Sequence, residues 1–221
     1  MTLADRRRAL MGGQKAEPPG VEISTLTPGT GLMVAENGSD EAYIYLGLAN
    51  DSNNALIIRD VLYGNAKRMA SSNSQLDYDG TELDEWLSDT FISYLDSKVQ
   101  DALALYPLTY TYNNNSDTKT INRKVFCMNV YLARTTFVQS FRTYYGISTN
   151  MALVGKNSGG TNKPWWYCSQ EGSNYYRVQY TDGNLNGWPA SNSTAVWVRP
   201  CISVKASAKV VEDNGVYYLR G

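Results

Sequence analysis

Trp165-Trp166-Tyr167-Cys168-Ser169, Tyr175-Tyr176-Arg177-Val178-Gln179-Tyr180 and Val196-Trp197-Val198-Arg199-Pro200-Cys201 lie within one stretch of the chain, 165–201. The Trp-Trp and Val-Trp-Val clusters are rigid and apolar and read as strands fixed by burial. Between them stand Tyr, Asn, Ser, Asp, Thr and Gly, the mixture from which binding surfaces are built: amphipathic rings for contact area, short polar side chains for hydrogen bonds. The expected frame is Trp165, Trp166, Trp197, Arg199 and Pro200, joined by Trp86 from earlier in the chain. The expected reading face is Tyr167, Asn174, Tyr175, Tyr176, Tyr180, Asp182, Asn184, Asn186, Trp188, Ser191 and Asn192. Trp188 sits in a Gly-Trp-Pro turn, where a core and an exposed position are both open readings.

Working outward, Tyr43–Leu48 and Ala55–Leu62 are β-rich runs joined by the turn-forming Asn50-Asp51-Ser52-Asn53-Asn54. A helix follows, with Thr81 or Asp84 as its cap. Leu83, Trp86, Leu87, Phe91, Leu95 and Val99 recur at helical spacing through Leu105, and Ser88-Asp89-Thr90 is a place where it could divide. Pro107 closes it, and Leu108–Tyr112 alternates as a strand. Residues 113–122 read as a polar loop, Val125–Leu132 as a buried strand or short helix, and Gly155–Lys163 as a Gly/Asn/Ser loop. Trp165–Ser169, Tyr175–Tyr180, Trp197–Val204 and Val216–Leu219 complete a mixed α+β chain. Residues 1–20 read as an arm and linker preceding a domain over 21–221. A short helix over Thr2–Met11 ends at Gly12-Gly13, and Pro18-Pro19-Gly20 follow it. A disordered tail and an attachment or oligomerisation helix are both compatible with that arm.

Composition narrows the chemistry. The 221 residues carry a net charge of −1 and no histidine, which removes the commonest general base and metal ligand. The aromatics are not interleaved with a Lys/Arg stripe, so nucleic acid is not an expected partner. No apolar run approaches a membrane span, and Arg6-Arg7-Arg8 is not followed by the apolar segment of a signal peptide. Synthesis in a cytoplasm, with display on a particle or release by lysis, is the expectation. Asp77, Asp79, Glu82, Asp84 and Glu85 gather where a helix begins, so capping outweighs a catalytic carboxylate pair. Asp77-Tyr78-Asp79-Gly80 is too short a match to a calcium loop. Cys127, Cys168 and Cys201 read as buried thiols in preference to a Cys168–Cys201 bridge. No catalytic residue, cofactor or metal is expected. Asn37, Asn50, Asn114 and Asn192 match glycosylation acceptors but read as turn residues.

Four motifs in order carry a resemblance. Thr81-Glu82-Leu83-Asp84-Glu85-Trp86-Leu87-Ser88-Asp89-Thr90-Phe91, Trp165-Trp166-Tyr167-Cys168-Ser169, Tyr176-Arg177-Val178-Gln179-Tyr180-Thr181-Asp182-Gly183 and Val196-Trp197-Val198-Arg199-Pro200-Cys201-Ile202 cover about residues 40–204. Together they resemble a domain family of uncharacterised function found in Firmicutes and their phages and prophages. The chain departs from the family at Cys168, where Arg is usual, at Trp197, where Gly is usual, and at Cys201, where Ala is usual. The resemblance implies a C-type-lectin-like fold of the kind shared with formylglycine-generating enzymes and with retroelement-diversified variable proteins. It implies a phage or prophage receptor-binding protein of tail-tip type that reads a bacterial surface protein or glycan. Residues 1–11 also resemble the start of prophage-encoded minor structural proteins, which suggests virion contacts through residues 1–20; a homo-oligomer such as a trimer is compatible. The alternatives are a purely structural virion part and, behind it, a cysteine oxidase of the formylglycine-generating type using Cys168 and Cys201.

Overall fold

The computed structural model describes residues 20–36, 42–50, 52–75, 77–112, 116–147, 150–172 and 175–220. The expected helix over 2–11 and the candidate site residue Asn174 lie outside them. The strands, in chain order, are β1 (Val21–Glu22), β2 (Gly31–Ala35), β3 (Ala42–Asn50), β4 (Asn54–Arg59), β5 (Tyr106–Tyr112), β6 (Asp117–Arg123), β7 (Val125–Phe126) and β8 (Gly155–Lys156). They continue with β9 (Asn162–Lys163), β10 (Trp165–Glu171), β11 (Tyr175–Gln179), β12 (Leu185–Pro189), β13 (Cys201–Lys205), β14 (Lys209–Asp213) and β15 (Val216–Arg220). An eight-stranded sheet runs β1-β14-β15-β2-β3-β4-β13-β7, and a three-stranded sheet runs β10-β11-β12. β5–β6 and β8–β9 form two-stranded ribbons. The chain is thus α+β, with more sheet than helix.

The helices differ from the periodicity in instructive ways. Thr81 caps the first, its hydroxyl accepting from the Asp84 N–H at 3.2 Å. No division occurs at Ser88-Asp89-Thr90; instead Trp86–Phe91 widens into a π-helical turn. The break comes at Leu95, which is extended, after which Asp96 caps Ser97–Ala102. Residues 113–122 are not all loop: Asp117–Arg123 pairs with Tyr106–Tyr112 in full register. The polar residues there are the outward half of an alternating strand, with Ile121 facing in. Val125–Phe126 is a strand and the helix begins just beyond it, running from residue 130 through Val138–Tyr145. Of Trp197–Val204, only Cys201 onward is a strand, while Val198 and Trp197 make single bridges. β12 and β14 were not expected at all.

One core joins these elements, and two buried arginines organise its polar interior. Arg59 pairs with Glu36 (Nε to Oε1, 2.8 Å), which also accepts from the Tyr45 hydroxyl at 2.8 Å. Arg199, fully buried, donates to the carbonyls of Arg59, Asp60 and Leu153 at 2.9, 2.8 and 3.3 Å, with the Phe141 ring 4.2 Å away. Burial lowers the Arg199 pKa to about 10, which leaves it charged at neutral pH. The three carbonyls spread that charge over chain segments far apart in sequence, so Arg199 works as an internal tie. Gly155 allows the closest approach beside it. A Cβ there would stand 2.6 Å from Leu62 and 2.9 Å from Trp165.

Candidate functional site

β10 enters the core nearly whole: every residue from Trp165 to Gln170 is buried. The Trp165 indole donates to the Leu153 carbonyl at 3.0 Å and the Trp166 indole to the Lys67 carbonyl at 2.6 Å. Buried aromatics thus have their polar atoms satisfied. Pro200 is buried and its carbonyl accepts from the Arg59 N–H. Trp86 and Trp197 are half-buried, with Lys67 4.2 Å over the first ring and Lys163 4.8 Å over the second.

β11 separates the two fates of the central tyrosines. Its residues alternate, so Tyr175 is 44% exposed and Tyr176 only 1%. Tyr176 and Tyr167 were expected on the reading face, and both are core. Tyr167 sits on a strand covered on both sides, with its hydroxyl donating to Gln179 Oε1 at 2.9 Å. Tyr176 reaches the Gln75 carbonyl at 3.3 Å. Asp182, Asn184 and Asn186 are exposed, while Tyr180, Trp188, Ser191 and Asn192 are half-buried. Trp188 leans on Tyr180, ring centroids 6.2 Å apart.

Much of the polar chemistry on this face is already engaged. Asp182 accepts from the Asn184 N–H at 2.9 Å and from its side-chain amide at 3.0 Å. The backbone N–H of Asn184, with its side chain, holds the Asp182 carboxyl below the usual range. Gly183, at φ 85°, closes this turn in a conformation that glycine adopts without strain. Gln179 Nε2 donates to the Asn184 carbonyl at 3.3 Å, so the buried Tyr167 is linked to the exposed turn. Asn192 Oδ1 accepts from the backbone N–H groups of Thr194 and Ala195 at 3.2 and 3.0 Å. These residues were expected to offer adaptable hydrogen bonds; they instead lock the turns that carry the rings. The free edge of β12 is blunted as well. Pro189 has no N–H, and the Gly187 N–H is met by Asn186 Oδ1 at 3.1 Å.

A cleft of about 450 Å³ lies between the β5–β6 ribbon, residues 129–131 and β10–β12, on the sheet face that Arg177 and Leu185 share with Tyr175. Thr109, Thr111, Thr118, Tyr131, Arg177 and Leu185 are among its walls. Sequence reading did not find it, because its residues come from six separate segments of the chain: β5, β6, residues 129–131, β10, β11 and β12. The available signal was the alternation Thr109-Tyr110-Thr111 and Thr118-Lys119-Thr120, which marks a ribbon with a threonine face. The ribbon's opposite face is bound to the start of the first helix. Lys119 pairs with Asp77 and Asp79 (2.7 and 2.8 Å), and Arg123 with Asp79 and Asp84 (2.5 and 2.7 Å). The carboxylates near Thr81 therefore serve capping and ion pairing.

All three cysteines are free and buried. Burial pushes their thiol pKa values up, away from the thiolate form that reacts. Among the described residues no cluster of His, Cys, Asp or Glu could hold a metal ion, and no helix is long and apolar enough to cross a membrane.

Fold and surface together define an α+β domain with a rigid aromatic frame and an exposed, turn-locked flank. The chain belongs to the family described as a domain of unknown function, DUF6273, whose model matches residues 52–206. No curated protein and no solved structure matches the chain.

Proposed function

We propose that the chain is a phage- or prophage-encoded ligand-binding module of C-type-lectin-like type, reading a bacterial surface protein or glycan through the exposed part of residues 175–192. The observation that carries this reading is exposed Tyr175 on one face of β11–β12 and exposed Asn186 beside half-buried Trp188 on the other, with turns locked by Asp182, Asn184 and Asn192. Rings held on preorganised backbone give contact area at small entropic cost. Diversification by a retroelement fits the positions whose side chains hold no turn, Tyr175 above all, and fits Asp182 and Asn192 poorly. The oxidase alternative is disfavoured because Cys168 and Cys201 are buried and shifted away from the thiolate.

The test is binding of the labelled full chain to a panel of Firmicutes cells. Tyr175→Ala/Asn186→Ala/Trp188→Ala is expected to weaken it by about tenfold or more, with thermal unfolding used to confirm that the variant is folded. Unchanged binding by a folded triple variant overturns the reading.

A further inference from the structure

The cleft beside the β5–β6 ribbon is lined by chemistry that selects one ligand class. Outward-facing Thr109, Thr111 and Thr118 give the wall methyl and hydroxyl groups, the Thr109 hydroxyl being paired with that of Thr120 at 2.8 Å and each hydroxyl of that pair keeping capacity for a further hydrogen bond. Tyr131, on the first turn of the helix that starts at residue 130, is 75% exposed, the most exposed of the large apolar side chains described. Leu185 adds an apolar wall from β12. The charge at the cleft is balanced: Arg177 Nη1 lies 2.8 Å from Glu171 Oε1. The cations of the ribbon itself, Lys119 and Arg123, are engaged on its opposite face by Asp77, Asp79 and Asp84.

The walls are fixed relative to one another. Asn129 Nδ2 donates to the Thr109 carbonyl at 2.5 Å, and Asn129 Oδ1 accepts from the Leu132 N–H at 2.5 Å, so the ribbon is tied to the helix start. The Val130 N–H donates to Ser169 Oγ at 3.4 Å, which ties that start to β10. At about 450 Å³ the cleft falls within the roughly 300–1,000 Å³ of small-ligand sites.

We infer that this cleft is a subsite for a neutral saccharide unit, stacked on Tyr131 and hydrogen-bonded along the threonine face. A pyranose alternates C–H patches with hydroxyl groups over a few ångströms, as threonine alternates methyl with hydroxyl. A neutral ligand leaves the Arg177–Glu171 pair intact, whereas an anionic one must displace Glu171 and leave a carboxylate without its partner. The inference rests on the binding-module reading and adds to it a second contact region and a ligand class.

The test is saturation-transfer NMR on the full chain with glucose, galactose, rhamnose and N-acetylglucosamine, and with N-acetylneuraminic acid and glycerol 3-phosphate as charged comparators. At least one neutral sugar is expected to receive saturation. Tyr131→Ala is expected to weaken its binding by about tenfold and Tyr131→Phe to retain it. The exposure of Tyr131 makes its replacement harmless to folding. The inference is overturned if no neutral sugar binds, if either charged comparator binds better, or if Tyr131→Ala binds as the parent does. Loss of cell binding in the 175/186/188 variant together with silent sugars removes the subsite and leaves the binding module standing. Unaltered cell binding together with silent sugars removes both. A cleft that takes up an aromatic side chain of a protein ligand, seen by crosslinking from Tyr131, also overturns it.

Discussion

β10 and β12 flank the same central strand, yet one is buried from Trp165 to Gln170 and the other has no buried residue among Leu185–Pro189. Both carry tryptophan and an amide side chain. What separates them is what lies on their far sides: β10 is backed by the Trp197 bridge, the Met128 carbonyl and the Arg199 cluster, while β12 ends the sheet. Residue type therefore sets what a position can do, and neighbours set which of its uses is realised. The inner strand stores stability, and the outer edge is free to vary.

The largest break in that contrast is expected at Arg199. Replacing it with Met removes a charge that three buried carbonyls surround and takes the side-chain donor from the Arg59 and Asp60 carbonyls, while the Leu153 carbonyl keeps the Trp165 indole. A loss of about 3–5 kcal/mol is expected from urea unfolding. Arg177→Met on the outer face, where the pair with Glu171 is about one-third exposed, is expected to lose less than about 1 kcal/mol. Similar losses at the two positions would dissolve the division between inner and outer strands.

The neighbouring tyrosines of β11 sharpen it within a single strand. Tyr176→Ala leaves a cavity in the core and is expected to cost about 3–5 kcal/mol. Tyr175→Ala is expected to stay within about 0.5 kcal/mol of the parent while weakening binding. Thiol titration extends the comparison to side chains that are only internal. Cys127, Cys168 and Cys201 are expected to resist an aromatic disulfide reagent in the folded protein and to react fully in denaturant. Rapid labelling of any of them under native conditions contradicts the burial described above.

Some of this arrangement was legible in the sequence and some was not. The clusters Trp165-Trp166 and Arg199-Pro200 were readable as frame because apolar runs and a lone Arg-Pro next to Val198 leave few other options. The helix start was readable only as far as a choice of cap between Thr81 and Asp84, and the structure assigns it to Thr81. Tyr167 and Tyr176 were misplaced because composition carries no phase. Only pairing with Gln179 and with the Trp188 strand fixes which way each ring points. The β5–β6 ribbon was half missed, since Asp117–Arg123 holds one buried apolar residue, Ile121, and polar strands resemble loops in a hydropathy pattern. The cleft was illegible for a simpler reason: Thr111, Tyr131 and Arg177 meet only after folding.

The smallest effect concerns the ion pairs behind the ribbon and depends on pH. Hydrogen bonding from Lys119, then from Arg123, holds the Asp79 carboxyl below its usual value. A carboxylate depressed in this way stabilises the fold above its unfolded pKa near 3.9, and that contribution is lost as pH falls through the lower folded value. Lys119 shifts in the opposite sense. Asp77 and Asp79 raise it to about 12, so its contribution is complete below the unfolded lysine value near 10.4 and disappears as pH climbs through about 12. Both side chains are more than one-third exposed, so screening keeps each contribution below about 1 kcal/mol. Asp79→Asn is accordingly expected to flatten the decline of stability below about pH 4, and Lys119→Met to flatten the decline above about pH 10.4. Both changes should shrink in high salt, measured by urea midpoints across pH. A buried role for this network predicts the opposite: losses of several kcal/mol that are insensitive to salt. The salt series therefore decides whether the ribbon is stapled from its exposed side or only through Asp84, whose side chain is 2% exposed.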